Sequence, residues 1–306
     1  MTAAVIKTSK PYSGVRKAID LSSSYLEPAV QFNAYKARVI ADGGRIINES
    51  RLLEEITTMI NSGMWGNVGA WIGASFGVKT DSNGAVLKAY GLAGSPDFIP
   101  EAVGATARPI VFDTTREQPI FLVRVDKGGS ILRSEKKIFA QRAAGADFAL
   151  SVRGTDWLPY PNDSIGMGAA LHSSGVNGLL TWQAMDGFNT RLAWSYTSTA
   201  TNPVSSGSTL NINKTPYATF KRSAALISPL KGRMSVYADG LLAEAKTHAS
   251  GKLADINATE VQVNIGPMFN DPASWTANAT CYGGISSLRL LIAATERHVQ
   301  ILSTLD

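Results

Sequence analysis

The chain has 306 residues, enough to bury a substantial core as one large domain or two. Charged residues are only 17%, against an average near ~25%, and Gly, Ser, Thr, Asn and Ala are abundant instead, the balance of a β-rich protein with polar, weakly charged surfaces. The net charge of +5 is spread thinly, with Lys136-Lys137 and Lys221-Arg222 as the longest basic pairs, which argues against a nucleic-acid partner.

Cys281 is the only cysteine, so no internal disulfide forms, and it falls in an expected core strand as a small apolar filler. The N-terminal stretch Met1–Lys7 has no long apolar run and does not read as a secretory signal. No window approaches ~18 uninterrupted apolar residues, so no membrane insertion is expected. The expectation is a soluble protein made in a reducing cytoplasm.

Residues 1–28 lack a sustained period and read as an N-terminal arm or a frayed terminus. From Pro28 the pattern becomes helical. Val30, Ala34, Ala37 and Ile40 or Ala41 recur at three- and four-residue spacing as a core stripe, and Gly43-Gly44 closes that helix. Asn48 and Ser50 are N-cap candidates for a second helix with Leu52, Leu53, Ile56, Met59 and Ile60 as its stripe. Glu54 and Glu55 sit near its N-terminal end, where the helix dipole favours negative charge. Trp71–Val78 reads as one buried strand and Val86–Tyr90 as another, and Ser95–Pro100 breaks the pattern.

The run Tyr35–Gly44, then Gly63-Met64-Trp65, then the Lys88–Ser95 turn, resembles the A-Y-x-A-R-V-x-A-D-G-G segment of bacteriophage tail and minor virion proteins. In that family the helical hairpin leads into a concanavalin-A-like, laminin-G-like jelly roll. The resemblance implies an arm over 1–28, a helical hairpin and attachment region over 29–105, and a β-sandwich over 106–306.

The later chain agrees on independent grounds. Candidate strands are 110–113, 120–125, 137–140, 148–153, 165–171, 178–185, 191–197, 218–227, 233–238, 260–265 and 284–292, with Gly, Pro, Asn, Asp and Ser between them. Many short strands without long helices between them define a mainly β protein built as a sandwich or barrel. Met234, Val236 and Ala238 alternate with polar residues, and Asp239-Gly240 supplies the positive φ angles of a two-residue hairpin turn. In laminin-G-like domains such a V-Y-x-D/N-G turn precedes a final strand and a small acid-containing helix, which match Gly284–Ile292 and Ala293–Leu302 here.

The three histidines, His172, His248 and His298, carry no local catalytic motif and read as structural or surface residues. The E-x-D-x-E strand of catalytic jelly-roll glucanases is missing, as are zinc spacings, a phosphate loop and an Asp-rich calcium loop. No cofactor or metal is therefore expected. Two aromatic loops offer glycan-stacking candidates: Asp156, Trp157, Tyr160 and Asn162 in one, Asn270 and Trp275 in the other. The competing reading packs these loop aromatics against a neighbouring subunit and places Trp182 and Trp194 in the sandwich core.

The resemblance implies a non-enzymatic virion subunit: a tail fibre, receptor-binding or decoration protein with a lectin-like sandwich. Its partners would be other virion proteins, copies of itself in a homo-oligomer (a trimer by likeness to phage fibres) and a host surface glycan. The alternatives are a glycan-processing enzyme and a free-standing lectin on the same fold.

Overall fold

A computed structural model describes residues 26–104, 108–126, 128–139, 145–159, 167–173, 176–185, 189–194, 196–199, 202–204, 209–214, 222–247, 260–267 and 280–305. Helix α1 (Pro28–Ala41) opens with proline in its first turn, where a missing N–H costs nothing. After the short β1 (Arg45–Ile46), helix α2 (Glu49–Asn61) is capped by Asn48, whose side chain accepts from Arg51 N. The α2 stripe Leu52, Ile56 and Met59 is buried as its spacing predicts.

The α1 stripe is not. Tyr35 and Val39 are its buried residues, while Val30 and Ile40 are 44% and 55% exposed, with Ala34, Ala37 and Ala41 also exposed. The reason is local: Tyr35 and Val39 pack on the backbone at Gly77, where a Cβ would lie 2.7 Å from Val39 and 2.8 Å from the Tyr35 hydroxyl. That close approach turns the Tyr35/Val39 side inward and the alanine side to solvent.

Strands follow in the order β2 (Val68–Gly73), β3 (Gly77–Thr80), β4 (Val86–Ala89), β5 (Phe98–Gly104), β6 (Val111–Asp113), β7 (Ile120–Asp126), β8 (Gly128–Ser134) and β9 (Ile138–Phe139). The next are β10 (Phe148–Pro159), β11 (Met167–Ser173), β12 (Val176–Met185), β13 (Asn189–Trp194), β14 (Tyr196–Thr199), β15 (Asn202–Val204) and β16 (Thr209–Lys214). Then come β17 (Ser223–Ser228), β18 (Arg233–Ala238), β19 (Leu241–Thr247), β20 (Glu260–Pro267), β21 (Thr280–Leu291) and helix α3 (Glu296–Leu302).

They form two large antiparallel sheets, a jelly-roll sandwich. One runs β1-β3-β4-β5-β8-β20-β11-β12-β13-β16, with β9 also on β20. The other runs β19-β18-β17-β10-β21-β7-β6, with β2 beside β21. The stretch read as one strand over Trp71–Val78 is two strands in different sheets. The chain turns at Ala74–Phe76, where Phe76 N donates to Gly73 O, and crosses from β2 to β3. β5 runs through Pro100 despite the expected break, because β4 meets it only at Phe98 and no other described strand pairs with that edge. Since β5 pairs with β8 and β2 with β21, strands of the 29–105 region belong to the same two sheets as those of 106–306.

The β10–β21 sheet is covered on both faces, and strand alternation sorts its residues accordingly. Leu150, Val152, Ala225, Val236, Leu288 and Leu290 face the core between the sheets. Ala149, Ala224, Tyr237 and Leu291 face a second core with Leu52, Ile56, Met59, Val299 and Leu302 of the helices. Three layers result, helices on sheet on sheet.

Across the helix–sheet boundary, the Glu55 carboxylate meets the Arg289 guanidinium, with Arg289 Nε at 2.5 Å from Oε1 and Nη2 at 3.2 Å from Oε2. Glu55 is therefore not a solvent-facing dipole charge: it lies in the second turn of α2, turned inward and buried.

Asp239 and Gly240 take φ of +48° and +81°, the two left-handed residues expected of the hairpin turn between β18 and β19. The hairpin touches the terminal helix. Tyr237 Oη donates to Glu296 Oε1 at 2.6 Å, and Gly240 N donates to Ser303 Oγ at 2.9 Å. Burial, helped by that carboxylate, pushes the Tyr237 phenol up to about 12.

His298 stands at the third position of α3, where its Nδ1 accepts from Thr295 N while Thr295 Oγ1 accepts from His298 N. Only a neutral imidazole can accept there. Burial holds its pKa below the ordinary 6.5, against a hydrogen bond with the Ser62 backbone. The unfolded chain thus binds the proton more readily, so this contribution is present above 6.5 and lost as pH falls through the lowered value. Urea unfolding from about pH 7 to pH 5 is expected to show a steeper loss of stability in the wild type than in His298→Gln. Equal slopes would contradict the capping role.

Candidate functional site

The residues behind the sequence resemblance converge on one structural unit. Tyr35, Arg38 and Asp42 recur at helical spacing along α1 and meet the segment from Lys88 to Asp97. The Tyr35 hydroxyl donates to Tyr90 O at 2.9 Å and accepts from Gly77 N at 3.1 Å. Arg38 Nη1 reaches both oxygens of Asp97, at 2.8 and 3.1 Å, while Nη2 donates to Gly91 O at 2.5 Å. Asp97 also accepts from Gly91 N at 2.8 Å, which closes a ring of hydrogen bonds around that glycine. Asp42 accepts from Lys88 Nζ at 2.9 Å and from the Tyr90 hydroxyl at 2.8 Å.

The glycines of the motif fit this clasp for steric reasons. A Cβ on Gly44 would lie 2.5 Å from the Tyr90 ring, and one on Gly91 would lie 2.3 and 2.4 Å from the carbonyl oxygens of Pro96 and Ser95. The hydrogen bond from Lys88 and then that from Tyr90 hold Asp42 down at about 2. Burial raises the phenols of both Tyr35 and Tyr90. A carboxylate so held stays ionised at neutral pH, so Asp42 acts as a fixed anchor rather than a proton donor.

Two grooves flank the clasp and share Arg38, Gly94 and Ser95. One, of about 330 Å³, lies between Gln31 and Arg38 of α1, Trp65 and the Gly91–Ser95 turn. The other, of about 340 Å³, continues past Pro96 and Asp97 to Glu135, Lys136 and Lys137. Gly94 on the shared floor has φ +76°, and its neighbour Ala93, which lines the Trp65 groove alone, has φ +56°. A left-handed alanine costs about 1 kcal/mol or more and persists where surrounding structure imposes it. Ala93 packs against the helix-side core, which imposes it here.

The glycan candidates from sequence fall elsewhere. Asp156 and Trp157 lie on strand β10 rather than in a loop, at the register shift between Thr155 and Leu158, where the strand bulges against β21. Tyr160, Asn162, Asn270 and Trp275 lie outside the described residues, as does His248. Trp182 and Trp194 are on β12 and β13, and His172 is on β11 opposite Gln262. Trp65 stands out in the sequence within the Gly63-Met64-Trp65 part of the resemblance and Lys136-Lys137 as a basic pair, but the two are 71 positions apart and nothing local joins them in one groove.

Among the described residues there is no group of three or more His, Cys, Asp or Glu side chains placed to hold a metal ion. No helix among them is long and apolar enough to cross a membrane.

No family model matches the chain. No curated protein matches it in sequence. Among solved structures it is similar to a botulinum neurotoxin type C structure described with cell entry dependent on two ganglioside molecules, at 9% identity, covering 79% of this chain and 52% of that one, with a TM-score of 0.48. It is also similar to the binding domain of botulinum neurotoxin DC in complex with rat synaptotagmin II, at 11% identity, 78% and 52% coverage, and a TM-score of 0.48. The Trypanosoma rangeli sialidase matches at 14% identity, 78% and 33% coverage, and a TM-score of 0.44. The chain spans about half the length of the neurotoxin structures it matches. At these identities and TM-scores the likenesses carry no function across.

Proposed function

We propose that the protein is a non-enzymatic structural subunit of a bacteriophage virion, in a tail-fibre, receptor-binding or decoration role, with its sandwich displayed as a lectin-like domain. The observation that carries this reading is the outward face of α1, where Val30, Ala34, Ala37, Ile40 and Ala41 are exposed together. A helix clasped to a sheet on one side and apolar on the other is suited to receive a neighbouring protein. Apart from Gly77 and Asp97, the clasp is made by residues through which the chain resembles phage tail and minor virion proteins.

In this reading the subunit is made in the host cytoplasm and docks through α1 on a neighbouring subunit of the particle. A homo-oligomer, trimeric by the same resemblance, presents the sandwiches outward to a host glycan. An Ala37→Glu variant places a charge in the middle of the docking face without touching the clasp. Its incorporation into particles is expected to fall about tenfold or more at an unchanged unfolding midpoint. Normal incorporation would contradict the reading. Incubation with host polysaccharide is expected to release no reducing sugar, and sustained turnover would replace the structural role by a glycan-processing one.

A further inference from the structure

We infer that the outward face of α1 packs against the same face of other copies of this chain, as a parallel helix seam. The inference rests on the docking reading above and names the neighbour that α1 meets. On α1, Val30, Asn33, Ala37 and Ile40 are exposed, and Leu26 is exposed just before the helix. From Leu26 through Val30, Asn33, Ala37 and Ile40 the spacing is 4-3-4-3, the repeat of a helix seam, with Val30 and Ala37 at a and Leu26, Asn33 and Ile40 at d. Tyr35 lies about half a turn from this seam and is buried in its own clasp, so copies joined here carry their sandwiches away from the shared axis.

Two observations select a copy of the same chain as the occupant. Asn33 stands in the middle of the seam and makes no hydrogen bond among the described residues. An amide carries both donors and an acceptor, so a second Asn33 at the same height satisfies it, and a single Asn inside a seam fixes register in this way. The flanking e and g positions bring no like charges together. Ala29, Ala34 and Ala41 are apolar there, and the Lys36 ammonium is matched within its own subunit, 2.6 Å from Glu49 Oε1. Glu27, at the N-cap, lies at the end of the seam. The trimer of the display reading relates its helices by a three-fold axis, which sets them parallel. The clasp already holds α1 in its helical form, so association carries no helix-ordering cost. Two heptads are nevertheless short, so the seam is weak in dilute solution and closes at the roughly millimolar effective concentrations of neighbours held in a particle. At the low concentrations of an unfolding experiment the chain is a monomer, and Ala37→Glu leaves its midpoint unchanged.

Sedimentation equilibrium of the full chain from roughly 5 µM to roughly 500 µM tests the seam. The average mass is expected to rise above the 32.5 kDa of one chain at the upper end. Ala37→Glu is expected to weaken association about tenfold or more, and Asn33→Leu to strengthen it about tenfold, because a buried amide gives way to an apolar contact. Under oxidising conditions at the upper concentration, Ile40→Cys is expected to yield a disulfide-linked pair, since a residue near the end of a parallel seam meets its own copy. Leu230→Cys, more exposed but on the turn between β17 and β18, should link no more than the wild type with Cys281 alone. A chain that is monomeric at every concentration overturns the seam, as does association that Ala37→Glu or Asn33→Leu leaves unchanged. No linked pair from Ile40→Cys, or equal linking from positions 40 and 230, overturns the parallel arrangement. The docking reading survives any of these results if position 37 in assembled particles cross-links to a different virion protein, and it fails separately if Ala37→Glu is incorporated normally.

Discussion

Arg289→Met is expected to lower the free energy of unfolding by about 3–5 kcal/mol, the usual cost of removing one member of a buried ion pair. Glu55 then keeps a buried carboxylate with Trp71 Nε1 as its remaining donor, at 2.8 Å. Arg289 also donates to Ser287 Oγ at 2.9 Å, and its guanidinium lies 5.7 Å from the centre of the Trp71 ring, so the substitution removes three contacts together. Replacing both members, Glu55→Leu with Arg289→Met, is expected to recover most of the loss, because two apolar side chains carry no desolvation penalty. Recovery stops short by about 1–3 kcal/mol, since Trp71 Nε1 loses its acceptor inside the core. Urea unfolding of the two variants checks this. A double variant as unstable as Arg289→Met would show that the helices depend on the charges themselves.

Gly91→Ala is expected to cost about 3 kcal/mol or more, at the upper end of overpacking. The added methyl would meet two backbone carbonyl oxygens as well as Ser95 Oγ, and of these only the hydroxyl can swing aside. Relief requires moving the Ser95–Pro96 backbone, and that displaces Asp97 from Gly91 N and from Arg38. The unfolding midpoint should therefore fall together with amide protection at Gly77, whose N–H is held by the Tyr35 hydroxyl of the same clasp. A Gly91→Ala protein with wild-type stability would mean that the turn is looser than its geometry.

The sequence exposed local features well and remote ones poorly. Asp239-Gly240 was legible because a two-residue turn is specified by its own φ requirements, and the structure has both residues left-handed. The Asn48 cap and the Leu52, Ile56 and Met59 stripe were legible for similar reasons. On α1 the period was correct and the face was inverted. Alanines fit either side of a helix, and Tyr35, the residue that settled the matter, has a polar tip that finds its partners at Gly77 and Tyr90. β8 was not expected because Gly128-Gly129 precede a short apolar run, and the strand exists through pairing with β5 and β20. Glu55 and Arg289 are 234 positions apart, so nothing local marks them as partners. The clasp falls between these cases: Tyr35, Arg38, Asp42, Lys88, Tyr90 and Gly91 lie in the recognised motif, whereas Asp97 lies in the stretch read as a break, and only the fold joins it to Arg38 in one hydrogen-bonded ring.

Photo-cross-linking from position 37 in assembled particles tests the central claim most directly. With a photoreactive side chain in place of Ala37, the account predicts a cross-link to a neighbouring virion subunit. The same group in place of Leu242, exposed on the edge strand β19 away from α1, should give none. Absence of any cross-link from position 37 in particles that contain the protein would contradict docking through the apolar face of α1.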